Sequence, residues 1–187
     1  MKQQINQTII PVLKGIKDCE NAHKYRIPYL IIMDTHIAQL EHCFKLLKDR
    51  DKKIIVHIDL IKGLKSDEYA VEYLINSLGV DGIISVKSAV IERVKKLNRL
   101  SIQRMFIIDT QSYLKSIELI KNSQPDYIEM LPGCLFKMIS RVKSDLGIDV
   151  IAGGLIETVE EYEAAIKAGA TAITTSKPEL LKLSNIL

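Results

Sequence analysis

Apolar residues along this chain gather in short runs, each followed by a longer segment in which apolar and polar positions recur with a helical period. Eight such runs appear roughly every 20 to 25 residues: IIPVL at 9–13, YLIIMD at 29–34, KIIVHID at 53–59, GIISV at 82–86, SIQRMFIID at 101–109, DYIEM at 126–130, DVIAGG at 149–154 and ATAITTS at 170–176. They are rich in isoleucine and valine and mostly apolar at both parities, the pattern of parallel strands covered on both faces. The segments between them carry helix punctuation. Ser66 precedes DEYAVEYLINSL and Gly79 follows it; Thr158 precedes VEEYEAAIKA, Gly169 follows it, and Thr158 with Glu161 makes a capping-box pair.

Eight strand-then-helix units predict an α/β chain with a small (β/α)8 TIM-barrel-like fold and short loops, in one domain over residues 1–187. Barrels of this kind typically run to about 250 residues. The shorter chain leaves minimal loops and room for a truncated or missing helix, with residues 24–28 the tightest place. A doubly wound open sheet is the alternative; no GxGxxG follows the first strand to support it.

Composition narrows the class. With 47% hydrophobic side chains the chain can bury a substantial core. No apolar run approaches the roughly 18 residues of a membrane helix, and MKQQINQTII has no signal-peptide core, so a cytoplasmic location and no membrane partner are expected. Cys19, Cys43 and Cys134 show no ligand spacing, and their odd number fits reduced thiols, so neither a structural metal nor a bridge is expected. The net charge of +3 is unevenly spread: residues 45–65 carry seven basic groups against three acids, and residues 87–104 carry six against Glu92 alone. Such clusters are commonly solvated helix faces, but phosphate backbones respond to a local patch rather than to total charge.

In barrels of this class functional side chains gather at the C-terminal ends of strands, and the loops after the seventh and eighth strands often bind phosphate. Here those loops are IAGGLIE and TTSKPE. Gly153 and Gly154 let the backbone approach an oxyanion, and Thr174, Thr175 and Ser176 offer hydroxyl and amide donors before a short last helix, so a phosphate site is expected there. Other strand ends supply Asp34 after strand 2, His57 and Asp59 in strand 3 with Lys62 and Gly63 beyond, Lys87 after strand 4, Arg104 in strand 5 and Glu129 in strand 6. His57 and Asp59 share parity, which predicts side chains one above the other near the barrel top, with Asp34 a neighbour in one hydrogen-bond network.

Asp34, His36, His57 and Asp59 are metal-ligand types. The metal-dependent sugar-phosphate epimerases of this fold also need an acid on strand 7, which DVIAGG lacks, so no metal is assigned. No run carries an interior lysine for Schiff-base chemistry, and Cys134 in LPGCLF has no base near it in sequence. No catalytic residue and no cofactor is assigned, and phosphate recognition is the firmer reading.

The segments VHIDLIKGLKSDEYA (56–70), GIISVKSAVI (82–91), SIQRMFIIDTQS (101–112), IEMLPG (128–133), IAGGLIET (151–158) and AITTSKPELLK (172–182) resemble the glycerol-3-phosphate-responsive antiterminators, the glycerol uptake operon antiterminator regulatory proteins of bacteria. The resemblance covers essentially the whole chain, with matches at His57, Asp59, Leu60, Gly63, Gln103, Arg104, Glu129, Pro132, Gly133, Gly153, Gly154, Thr174, Thr175 and Ser176. It implies a TIM-barrel-like regulator that binds glycerol 3-phosphate as its effector. In that state it acts on the leader mRNA of a glycerol-catabolic operon and lets transcription pass a terminator. Glu157 departs from the family pattern, which has a basic residue after the double glycine.

Joined to the strand-end reading, the resemblance predicts the phosphate on Gly153, Gly154, Thr174, Thr175 and Ser176. Asp34, His57, Asp59 and Glu129 are then expected to read the hydroxyls, with Arg104 or Lys62 balancing charge. RNA contact is expected from Lys95, Lys96 and Arg99 after strand 4 and from Lys48, Arg50, Lys52 and Lys53 before strand 3, both on the N-terminal face opposite the pocket. A symmetric dimer suits an RNA partner. The rival reading is a small phosphate-binding barrel enzyme (isomerase, epimerase or glycerol-phosphate transferase) in which Asp34, His57 or Glu129 does acid–base work.

Overall fold

The eight apolar runs are eight parallel strands: β1 (Ile9–Leu13), β2 (Tyr29–Ile32), β3 (Lys53–His57), β4 (Gly82–Ser85), β5 (Leu100–Phe106), β6 (Tyr127–Leu131), β7 (Asp149–Gly153) and β8 (Ala172–Thr175). In the computed structural model, which describes residues 4–48 and 51–183, each strand pairs with the next in sequence and β8 closes on β1. The open-sheet alternative is thereby excluded. Eight helices alternate with the strands: α1 (Ile16–Asn21), α2 (Ile37–Lys48), α3 (Glu68–Glu72), α4 (Ser88–Lys96), α5 (Thr110–Ser123), α6 (Phe136–Leu146), α7 (Val159–Lys167) and α8 (Pro178–Leu183). The tight place is α1, six residues and a 3-10 turn at Ala22–Lys24, so the helix is shortened rather than lost. A further short parallel pairing joins Thr35–His36 to Ile61–Lys62.

Both strand faces are buried, as the unbroken apolar runs require. The outward parity of the first half (Leu13, Leu30, Ile32, Ile54, Val56, Ile83) packs on α1 to α4, and that of the second half (Met105, Ile128, Met130, Val150, Ala152, Ile173) packs on α5 to α8. The inward parity fills the barrel with Ile10, Tyr29, Ile31, Ile55, Ile84, Leu100, Ile102, Tyr127, Ile151 and Ala172. Branched side chains dominate because a closed parallel barrel has no lumen and must be packed to interior density. The floor is sealed by the segment before β1. The Gln7 side-chain amide donates to the Ile9 and Tyr29 carbonyls and accepts from the Tyr29 N–H, and the Tyr127 hydroxyl accepts from the Ile5 N–H.

Two local expectations need correcting. The α3 helix is capped by Asp67, whose carboxylate accepts the Ala70 N–H, and not by Ser66; the capping frame, with the N–H it satisfies, starts one residue later. Strand β3 ends at His57, and Asp59 lies in a 3-10 turn at Ile58–Leu60, so period-two parity does not relate the two side chains. The Thr158–Glu161 capping box of α7 forms as read, and Gly79 and Gly169 sit at positive φ behind their helices. All three cysteines are free thiols, Cys19 and Cys43 meeting in the core under α1 and α2.

Candidate functional site

Alternation along the strands puts a polar layer on top of the apolar barrel filling. Two positions after the inward-facing Ile55, Ile102, Tyr127, Ile151 and Ala172 stand His57, Arg104, Glu129, Gly153 and Thr174, on the same parity at the C-terminal strand ends. The β5–β6 register sets Arg104 directly opposite Glu129, and Arg104 Nε donates to Glu129 Oε2 at 2.8 Å, with only 9% and 2% of the two side chains exposed. The Thr174 hydroxyl donates to Glu129 Oε1 at 3.0 Å, so both carboxylate oxygens are engaged. Gly153 makes this approach possible: a Cβ there would stand 3.0 Å from Thr174 Oγ1 and 3.1 Å from Glu129 Oε1.

His57 sits in the same layer, 1% exposed, and neither ring nitrogen has a hydrogen-bond partner among the described residues. Its nearest acid, Asp59, lies 3.9 Å away, too far for a hydrogen bond. Burial, and then the Arg104 charge, pull its pKa down to about 4 against the opposing pull of Glu129 and Asp59. The ring is therefore neutral at pH 7, with one N–H donor and one bare nitrogen acceptor, both unmatched. Asp59 is occupied elsewhere: it accepts from the Ser85 hydroxyl at 3.1 Å and from the Val86 N–H at 2.9 Å, tying the exit of β3 to the end of β4.

Above this layer opens a cavity of about 200 Å³. The loops after β7 and β8 supply Gly154, Leu155, Ile156, Glu157, Thr175, Ser176 and Lys177; Lys14 and Met33 close it from β1 and β2, and Arg104, Glu129 and Thr174 reach it from below. Four of the predicted phosphate residues, Gly154, Thr174, Thr175 and Ser176, thus line one cavity, while Gly153 does not line it and packs closely against Glu129 and Thr174. Lys14 and Lys177 were missed by the sequence reading. Both lie just past the C-terminal end of a strand, the same positional signal that singled out their neighbours. Among the described residues no group of three or more His, Cys, Asp or Glu side chains could hold a metal ion.

Other expected site residues lie apart from the cavity: neither His57, buried in the layer beneath, nor Asp59, held by Ser85 and Val86, is among the residues that line it. Asp34 is exposed with a left-handed backbone (φ 55°) and does not join a network with His57. Lys62 is exposed on the short extended pairing with His36. On the N-terminal face, Lys52 is buried and donates its ammonium to the Tyr25 and Ile27 carbonyls, and Lys95 donates to the Ser123 and Gln124 carbonyls. Lys48 pairs with Asp81 at 2.8 Å and Lys53 stacks over the Tyr29 ring. Lys96 is exposed and Arg99 half-buried; Arg50 lies outside the described residues. No helix among the described residues is long and apolar enough to cross a membrane.

Comparison with known proteins assigns this geometry to a lineage. A solved structure of the glycerol uptake operon antiterminator regulatory protein from Listeria monocytogenes str. 4b F2365 superposes with a TM-score of 0.91 at 41% identity, covering 95% of this chain and 96% of that one. A glycerol uptake operon antiterminator-related protein from Thermotoga maritima MSB8 gives 0.83 at 31% identity over 94% and 98% of the two chains. The Escherichia coli (strain K12) protein YgcP is 29% identical, over 95% of this chain and 94% of its own. Barrel enzymes such as the deoxyribose phosphate aldolase from Aeropyrum pernix, at 16% identity and a TM-score of 0.71, share the fold alone. Residues 9–181 match the model of one family, and the chain belongs to it: the glycerol-3-phosphate responsive antiterminators.

Proposed function

We propose that this protein is a glycerol-3-phosphate-gated antiterminator that binds the cavity ligand at the C-terminal barrel face and a leader mRNA on a separate surface. The observation that carries the ligand half is the cavity itself, in which the Gly154, Thr174, Thr175 and Ser176 donors converge with the Lys14 and Lys177 ammonium groups. His57 does not line that cavity, but its buried ring in the layer beneath has two unmatched nitrogens, which is unfavourable by itself, and a ligand hydroxyl reaching down to one of them would relieve part of that cost. The phosphate then takes the Gly154, Thr175 and Ser176 end of the cavity, where Lys14, and Lys177 once it leaves its ion pair with Glu157, would balance a dianion.

The same geometry argues against acid–base catalysis by Glu129, since both of its oxygens are already engaged by Arg104 and Thr174. It argues equally against Schiff-base chemistry, which needs a lysine desolvated enough to lose its proton: Lys14 and Lys177 at the cavity are exposed, and Lys53 stands at the opposite end of β3. For the RNA half, Lys52 and Lys95 are taken up by backbone carbonyls, and Lys48 and Lys53 are engaged by Asp81 and Tyr29, which makes Lys96 and Arg99 the foremost basic contacts of the N-terminal face. Aromatic content of 5% favours backbone recognition over base stacking.

The test measures leader-RNA affinity with and without glycerol 3-phosphate across a salt series. Tighter RNA binding with effector, on a steep salt slope, is expected, and Lys96→Glu/Arg99→Glu should weaken RNA binding while leaving effector affinity nearly unchanged. RNA affinity at the non-specific level and indifferent to the effector would overturn the regulator reading. His57→Leu, close in shape and without polar atoms, should weaken effector binding at least tenfold; an unchanged affinity would remove His57 from the site.

A further inference from the structure

Across the mouth of the cavity, Lys177 Nζ lies 2.6 Å from Glu157 Oε1. The two residues belong to different loops, Glu157 after β7 and Lys177 after β8, and their side chains bridge the gap above Gly154, Thr175 and Ser176. Their backbones are anchored. The Glu157 N–H donates to Glu161 Oε2 at 2.7 Å, and the Lys177 N–H donates to Thr175 Oγ1 at 3.0 Å. Their charged ends are about half exposed, 57% for Glu157 and 48% for Lys177, so each can rotate without moving the chain. Glu157 also holds the Lys177 pKa above its ordinary value, so the ammonium persists at any neutral pH.

Charge counting shows what this bridge does. The cavity is lined by three cations, Lys14, Arg104 and Lys177, and two carboxylates, Glu129 and Glu157, a balance of +1. Arg104 is paired through Nε with Glu129 beneath, and while Glu157 holds Lys177, Lys14 is the one lining cation among the described residues that is not paired with a carboxylate. We propose that Glu157 is an internal competitor for the ligand's phosphate, a carboxylate that occupies Lys177 in the empty site and surrenders it when a phosphate enters. Glu157 thus sets the affinity threshold of the sensor rather than contributing to recognition. This inference rests on the reading of the cavity as a phosphate site.

Calorimetric titration of the full chain with sn-glycerol 3-phosphate and with inorganic phosphate, at low and high salt, tests it on wild type, Glu157→Gln and Lys177→Gln. Removing the competitor should tighten both ligands about three- to tenfold, given the strength of exposed ion pairs and the added repulsion of a dianion. The gain should shrink at high salt, where exposed charges are screened. Lys177→Gln should weaken both ligands. Because both side chains are exposed, thermal unfolding of the variants should match wild type, so that the affinities compare folded proteins. If wild type binds and Glu157→Gln binds no tighter, the competitor role is refuted while the phosphate cavity stands. If no variant binds either ligand, the cavity reading fails and carries this inference with it.

Discussion

Arg104→Met is the most direct probe of the polar layer. It removes the cation and leaves Glu129, 2% exposed at its side chain, with a carboxylate oxygen facing an apolar neighbour. This pair is interior, so the small values measured for surface pairs do not apply; removing one partner of a buried pair costs about 3–5 kcal/mol, much of it the desolvation of the charge left behind. For a chain of this size each kcal/mol lowers the melting temperature by about 2–4 °C, so a loss near 4 kcal/mol corresponds to roughly 8–16 °C. Thr174 still donates to Oε1, which offsets a part of the loss. Glu129→Leu alone should cost less than Arg104→Met, because Arg104 lines the cavity and a freed guanidinium can turn toward solvent. The double variant Arg104→Met/Glu129→Leu should recover most of the stability, since two apolar groups of similar size replace two desolvated charges. The assay is urea unfolding of the four proteins of the cycle, with thermal melts as a second probe. A cost for Arg104→Met below about 1 kcal/mol, or a double variant no more stable than the sum of the singles, would show that the pair behaves as a solvated surface bridge, and the account of the layer would be wrong.

Two further outcomes follow from the same layer. The depressed pKa of His57 means that the unfolded chain takes up a proton near pH 6.5 that the folded chain refuses until about pH 4; stability falls as pH drops through that window, by roughly 3 kcal/mol from this group. Unfolding of His57→Leu should lack that share of the acid slope, and an identical slope in variant and wild type would mean the ring is not held neutral by burial. Gly153→Ala forces a Cβ to within about 3 Å of Thr174 Oγ1 and Glu129 Oε1. A cost of about 1–3 kcal/mol is expected in urea unfolding, together with weaker glycerol 3-phosphate binding, whereas a neutral outcome would show that the packing around Gly153 has room to spare.

Much of the fold was legible because its determinants are local. Runs of isoleucine and valine apolar at both parities specify parallel strands, and their even recurrence with helical segments specifies the strand-helix repeat. The polar strand-end positions were also legible: His57, Arg104, Glu129 and Thr174 interrupt apolar runs, and each interruption marks a place where a barrel's packed filling gives way to its mouth. The loops at Gly153–Gly154 and Thr174–Ser176 were singled out by position alone, and all of these residues but Gly153 line the cavity.

What the sequence did not carry was partnership across the chain. Arg104 and Glu129 are 25 residues apart, and only the β5–β6 register sets them opposite one another. The parity that aligned Asp59 with His57 failed because β3 ended at His57, and a turn residue answers to its own hydrogen bonds, here Ser85 and Val86, rather than to the pleat. Lys52 and Lys95 read as free positive charge, yet both close carbonyls in neighbouring loops, because a long ammonium side chain takes whatever acceptors the packing brings within reach. Glu157 looked like a misfit in a phosphate loop until its partner Lys177, twenty residues on, was in view. Periodicity in the sequence determined which residues face inward and which elements form. Closure of the barrel decided which of those residues meet, because strand register and side-chain reach bring together positions that no local pattern connects.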